Sequence, residues 1–424
     1  MKTSAIIIFA VTYLLLLSYP KYRHYIALTA ATIFVVLGIL PLNKVFSAVD
    51  WNVIFMIAGT MGVVGLFIES RMPSLLADKI IERMPNVKWA IISLALFAGI
   101  ISAFVDNVAT VLMVAPVALT ISKKLKISPV PSIIAIAISS NLQGAATLVG
   151  DTTSILLGGY ADLNFLDFFY VDGRVGIFWV VEVGALISTL VLLILFKKEK
   201  QTIHTMERTE VRDYFPTFLL VGIILLMICA SFVPDQYKPS TINGIICMSL
   251  FVLGLIRKLI KTREVSALSK AVKEIDYSTI LLLTGLFIVI GGITEVGVVA
   301  DIGNLFVKAS NNNIFLIYTL IVWASVLFSA FIDNIPYVLT MLPVTAEISS
   351  QMGIEPNLLF FGLLIGATLG GNITPIGASA NITGLGILRR EGYEVSAPTF
   401  MKISVPFTLA AVITGYLLNW LIWS

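Results

Sequence analysis

Apolar and polar positions alternate along this chain in long blocks. Runs at 4–19, 25–42, 51–70, 132–159, 175–196, 214–233, 240–256, 276–295, 357–388 and 399–423 are almost wholly apolar and are read as spanning helices. Two further segments, 89–122 and 313–350, each hold two shorter apolar arms around an Asp-Asn pair. At ~1.5 Å per residue, an arm of about 16 residues reaches roughly 24 Å, short of the ~30 Å hydrocarbon core. The two segments are therefore expected to be re-entrant hairpins. Segments 71–88 and 296–312 intersperse apolar residues with charges and are expected to lie in opposite membrane interfaces as amphipathic arms. The fold class expected is all-α integral membrane, with about ten spanning helices plus two re-entrant hairpins.

The polar interruptions repeat. SAFVDNVATVLMVAPV from Ser102 and SAFIDNIPYVLTMLPV from Ser329 agree at nine of sixteen positions without a gap. At the same offset, Gly144, Thr147 and Gly150 fall on Gly371, Thr374 and Gly377. One residue off it, Asp50, Gly59, Gly65 and Glu69 fall on Asp276, Gly285, Gly291 and Glu295. Three blocks aligned in order make the chain two copies of one unit. Repeat 1 covers 1–196, with hairpin 89–122 and a broken helix at 132–159. Repeat 2 covers 214–424, with hairpin 313–350 and a broken helix at 357–388, and the hydrophilic stretch 197–213 links them.

Composition agrees: 58% hydrophobic and 12% charged residues, with a mean hydropathy of +0.97, belong to a polytopic membrane protein. With both hairpins returning to their own side, all but five of the 28 Lys and Arg fall on one face; Lys2, Lys44, Arg174, Lys238 and Lys308 fall on the other. The positive-inside rule makes the first face cytoplasmic and puts both termini outside. Span 4–19 then runs inward and its counterpart 214–233 outward, so the repeats are inverted, as in alternating-access transporters. The run after Lys2 superficially resembles a signal peptide but lacks a small-x-small site, and it is read as a retained first span. Basic residues in short clusters are topology signals rather than a nucleic-acid surface. Cys229 and Cys247, without CxxC spacing or a nearby His, are expected to be core residues, with neither a disulfide nor a transition-metal site.

Asp106 and Asp333 sit at the hairpin turns, near the bilayer midplane if the arms dip in as expected, where an unpaired carboxylate costs at least a few kcal/mol. One reading is structural: Asp and Asn are good helix N-caps and would open each second arm. The other, preferred because Asp and Asn occur together at both tips when one oxygen would serve, is that Asp106, Asn107, Asp333 and Asn334, with the Ser102 or Ser329 hydroxyl, hold a cation or exchange a proton. The broken helices supply the second group. Thr147, Gly150, Asp151 and Thr152 in the first, and Gly371, Asn372, Thr374, Gly377, Ser379 and Asn381 in the second, are expected to contact substrate. Unwound backbone at this depth survives only where it lines a cavity or is buried in protein. Close helix packing would explain the glycines but not the Thr, Asn and Ser beside them. Glu69 and Glu295 close their spans and read as solvated ends. Glu182 lies inside span 175–196, and its role, structural or functional, is open.

On SAFVDNVATVLMVAPV, SAFIDNIPYVLTMLPV, NLQGAATLVGDTTS and GGNITPIGASANITG the chain resembles the ion transporter superfamily, most closely its branch of arsenite permease-like proteins and the melanosomal P protein, with a citrate transporter-like domain. The resemblance implies two inverted repeats, each with one re-entrant hairpin and one broken helix, a dimeric scaffold and elevator-type movement. Relatives include dicarboxylate/sodium symporters and sodium/proton antiporters. The dicarboxylate branch carries Ser-Asn-Thr at both tips, where this chain has Asp106-Asn107-Val108 and Asp333-Asn334-Ile335. Two added acids would repel a multivalent anion unless protonated or cation-bound.

The expected function is a secondary active transporter of a small ion, oxyanion or organic anion, coupled to H+ or Na+, with no cofactor. A Na+/H+ antiporter, an arsenite efflux permease or an ion channel are the alternatives. Two inverted repeats broken at the midplane favour alternating access over a continuous pore. No metal-ligand spacing, nucleophile-base motif or phosphate-binding GxxxxGK[ST] loop supports an enzyme or an ATP-driven pump. The expected partners are a small ion or anion, the lipid bilayer and a second copy of the chain, with no nucleic acid. The expected location is the plasma membrane.

Overall fold

The computed structural model describes residues 1–199, 201–202, 208–263, 268 and 271–424. It is helical throughout, apart from Tyr170–Val171 paired with Arg174–Val175 across a turn whose Asp172 and Gly173 both take positive φ. Among the described residues, seven helices are long and apolar enough to cross a membrane, and nine if each of two sharply bent pairs counts as one. His204 and residues 203–207 of the linker lie outside the described residues.

The expected spans fall on helices with shifted ends. The run 25–42 forms a helix only over Arg23–Val36, because Gly38 turns the chain with a left-handed φ of 68°. That helix meets Lys2–Ser18 at 115°, across Tyr19-Pro20. Proline excludes the preceding residue from helical angles, and Tyr19 takes φ −128° and ψ 67°. Both segments expected at the interfaces contain helices, Met72–Ile81 and Val298–Ala309. Cys247 is buried as expected, whereas Cys229 faces outward among exposed apolar residues.

The hairpin arms are Val87–Ser102 with Asn107–Leu125, and Ile314–Ser329 with Asn334–Met352. The first arms have the expected length. The second arms are longer, 19 residues each, or about 28 Å. Asn107–Leu125 by itself is long and apolar enough to span. The apolar run stops near Ser122, but Lys123 and Lys124 suit the negative end of the helix and carry it on to a left-handed Lys126. Arm length therefore argues for re-entry only in the first arm of each pair.

The two broken helices are interrupted where expected. Val130–Gln143 gives way to turns before Thr152–Tyr160 resumes. Pro356–Leu364 passes through a π-helical stretch, Ile365–Leu369, and further turns before Ser379–Arg390.

The two halves interlock. Helix Trp51–Glu69 of the first packs along Ile242–Thr262 of the second, and Tyr277–Glu295 of the second along Arg23–Val36 of the first. Apart from Arg23–Asp333 at the second hairpin tip, the ion pairs among the described residues keep to two sets. Arg208–Glu82, Arg257–Asp213, Lys258–Glu69 and Lys123–Glu391 join residues assigned above to one end of the spans. Lys2–Asp301 and Lys44–Glu295 join residues assigned to the other. The linker binds the first end, with Thr209 donating to Asp78 and the Arg212 amide to the Ser70 carbonyl.

Candidate functional site

Each hairpin turns within four residues, and its aspartate opens the second arm. Asp106 Oδ1 accepts from the amides of Val108 (3.0 Å) and Ala109 (3.1 Å), and Asp333 Oδ1 from that of Ile335 (3.1 Å). The capping reading is thus correct for one oxygen of each. The other oxygens differ. Asp333 Oδ2 is ion-paired with Nη1 of Arg23. Among the described residues, Asp106 Oδ2 has no hydrogen-bond or ion-pair partner.

The tips are seated in the helix breaks by the same contacts twice over. Thr147 Oγ1 donates to the Ala103 carbonyl, and Thr374 Oγ1 to that of Ala330. A Cβ on Gly150 would lie 2.7–3.0 Å from the carbonyl oxygens of Gly144, Ala103 and Ser102, and one on Gly377 2.6–2.8 Å from those of Gly371, Ser329 and Ala330. Only glycine admits such an approach. Ser154 Oγ reaches back to the Gly144 carbonyl, as Asn381 Nδ2 does to that of Gly371.

Between the halves the polar groups join into one buried network. Asn107 Nδ2 donates to Asn141 Oδ1 (2.9 Å), and Asn141 Nδ2 to the Thr368 carbonyl (2.7 Å). Asp151 accepts at Oδ1 from the Thr152 amide (2.8 Å). Its Oδ2 accepts from Thr153 Oγ1 (3.0 Å) and, from the second hairpin, Asn334 Nδ2 (3.4 Å).

A cavity of about 370 Å³ opens beside this network. Asp106, Asn107, Asp151, Thr152, Asn334 and Ser379 line it, so six expected site residues from both halves share one wall. Asp333 lies instead in an adjoining cavity of about 200 Å³, shared with Arg23, Gly377 and Ser379. The others are one layer back. Ser102 accepts from Ser140 Oγ (3.0 Å), Ser329 donates to the Ala367 carbonyl, and Asn372 Nδ2 donates to that of Ile138 (2.8 Å). With Thr147, Gly150, Gly371, Thr374, Gly377 and Asn381, they hold the tips in the breaks and do not line the cavity of about 370 Å³. Ser and Thr at a break look alike in sequence whether they face a cavity or satisfy a carbonyl.

Sequence reasoning missed Arg23, Glu274 and Asp276, which also line the cavity. The signal for Asp276 was its repeat match to Asp50. Arg23 was read only as a topology charge. The cavity thus carries four carboxyl side chains, Asp106, Asp151, Glu274 and Asp276, and one cationic side chain, already paired. Such walls suit a cation or a proton better than a free multivalent anion. Glu182 lies outside the cavity and accepts from Gln143 Nε2 at 3.1 Å.

Apolar spans, paired helix breaks and a polar cavity between them define an α-helical integral membrane transporter. The chain belongs to the citrate transporter family, whose model matches residues 13–366. An uncharacterized transporter of Mycobacterium tuberculosis is 32% identical over 99% of this chain and 98% of its own. The P protein of Homo sapiens is 26% identical over 92% of this chain and 56% of its own. Among solved structures, the YdaH transporter of Alcanivorax borkumensis shares the fold, with a TM-score of 0.61 at 14% identity over 94% of this chain and 96% of that one.

Proposed function

We propose that this protein is a secondary active transporter that couples movement of a small ion to protons, with the cavity between the two hairpin tips as its site. The observation that carries this reading is the clustering of four carboxyl side chains around about 370 Å³, beside buried groups drawn from both halves of the chain. Asp106 and Asp151 are the proposed proton- or cation-handling groups, with Asn107, Asn334, Thr152 and Ser379 as oxygen donors to the bound ion. A carboxyl in a low dielectric gives up its charge more readily than one in water, which lets it carry a proton through a cycle. Sodium coupling is the second reading, favoured by the hard oxygen donors.

The repeats are proposed to be inverted, with both termini extracytoplasmic, both hairpins re-entrant, and a homodimeric scaffold in the plasma membrane against which the hairpins and broken helices move as an elevator. Support for inversion comes from the ion pairs: Arg23–Asp333 apart, no acidic partner among the described residues joins basic residues assigned to both faces. Citrate, named in the family description, would meet four carboxyls here and would need protons or a bound cation to enter. Sodium in exchange for protons and a small oxyacid such as arsenite fit the same walls.

The test is flux into proteoliposomes of purified protein, with sodium, arsenite and citrate each offered under an imposed pH gradient. Saturable uptake of one of them, driven by the pH gradient, is expected. A flux indifferent to the pH gradient but dependent on sodium would replace protons by sodium as coupling ion, and one that neither saturates nor needs a counter-ion would make the protein a channel.

A further inference from the structure

Glu182 is the one carboxylate on helix Ile177–Leu195, whose outer face exposes Val183, Leu186, Ile187 and Leu190. It is half-buried, and its Oε2 accepts from Gln143 Nε2 at 3.1 Å. The other atom of that amide, Gln143 Oε1, is buried and has no hydrogen-bond partner among the described residues. A carboxylate cannot satisfy it, since both groups only accept.

We propose that Glu182 and Gln143 form a carboxylic acid–carboxamide pair that holds one proton within the membrane, at a site separate from the transport cavity. A protonated Glu182 has an O–H to give. With Gln143 Nε2 donating to Oε2 and the acid O–H donating to Gln143 Oε1, both groups are satisfied by each other. An ionised Glu182 leaves the amide oxygen unpaired beside a negative charge, with no cationic side chain among the described neighbours to offset it.

Among the described residues, the helices packed most closely on the helix of Glu182 supply no competing charge. Helix Ile177–Leu195 packs against Val130–Gln143, Val87–Ser102 and Ala397–Trp423. The first has no ionisable residue. On the second, Lys88 lies far along the helix from Gly99, whose Cβ would touch Gln143 Cγ. On the third, the Tyr416 hydroxyl is engaged by Thr319, and Lys402 lies beyond Phe407, the residue level with Ser188 rather than Glu182.

Gln143 is the last residue of its helix before the break. The next residue, Gly144, lies against the Asp151 side chain, and its carbonyl accepts from Ser154 Oγ (2.9 Å). Loss of the proton to solvent frees Gln143 to turn its Nε2 toward both carboxylate oxygens, and the strain falls on the turn that holds Asp151 in the cavity. Glu182 is thus a positioning residue for the cavity, a consequence that rests on the transport reading, whereas the proton pair does not.

Infrared difference spectroscopy of the purified protein in lipid tests the pair without any transport assay. At neutral pH the wild type should show a protonated-carboxyl C=O band that Glu182→Gln removes, while the Asp106→Asn and Asp151→Asn variants retain it. Glu182→Gln keeps an amide-amide pair and so preserves packing. Gln143→Leu should keep the acid but move its band to the higher frequency of a carboxyl without a hydrogen-bond acceptor. Loss of only a carboxylate band in Glu182→Gln, or no shift in Gln143→Leu, would overturn the proposal. The band present in a protein without flux would leave the pair standing and sink the transport reading alone.

Discussion

Asp106 and Asp333 each use one oxygen as a helix cap; the second oxygen of Asp106 is left for chemistry, whereas that of Asp333 is ion-paired with Arg23. Asn keeps a capping oxygen but removes the charge. Asp106→Asn is therefore expected to abolish coupled uptake in proteoliposomes while expression and thermal unfolding stay near wild type; Asp333→Asn, which also breaks the ion pair with Arg23, is expected to lower the thermal midpoint. Wild-type rates in Asp106→Asn would leave this aspartate as a cap. Arg23 and Asp333 are 310 residues apart and largely buried, with side chains 25% and 17% exposed. Removing one partner of such a pair leaves the other charge poorly solvated, at a cost of about 1–3 kcal/mol after discounting for solvent. Arg23→Gln should lower the midpoint of thermal unfolding in detergent, and the Arg23→Gln/Asp333→Asn double variant should recover part of the loss. Strictly additive effects would show that the pair contributes nothing.

The hairpin and the broken helix behave as a lock made twice, with a threonine hydroxyl on a tip carbonyl and a glycine under it. A methyl at Gly150 or Gly377 would have to displace backbone oxygens now less than about 3 Å away, and backbone cannot yield as a flexible side chain can. Gly150→Ala and Gly377→Ala should each eliminate transport and lower the thermal midpoint. Gly386, in helix Ser379–Arg390 with open space around its Cα, is the control. Gly386→Ala should be active and as stable as wild type or better, by up to ~1 kcal/mol. Equal tolerance at all three positions would mean the tips do not seat as described. The glycines and threonines were legible in the sequence as a repeated interruption, but which groups faced the cavity was not, because a Thr hydroxyl on a carbonyl and one lining a cavity look the same in the sequence.

Across the membrane, the division of charges predicts that Lys124 and Asn312 lie on opposite sides. Both are exposed. In a background lacking Cys229, a single cysteine at Lys124 should react with an impermeant thiol reagent only from the cytoplasm, and one at Asn312 only from outside. Reaction of both from the same side would refute the inverted arrangement. Cys247 is buried and needs no replacement.

Hydropathy and internal repetition were enough, without coordinates, to establish a polytopic helical membrane protein and to locate its helix breaks and its Asp-Asn turns to within a few residues. These features are local or periodic, and the bilayer's demand that every backbone group be satisfied leaves few alternatives. Tertiary structure decided the rest. Arg23 reaches Asp333, Glu274 and Asp276 join Asp106 and Asp151 around one cavity, and Thr147, Thr374 and Asn372 turn away from it. Such contacts depend on how helices distant in the chain pack and rotate against each other, and no residue's own neighbourhood in sequence records that.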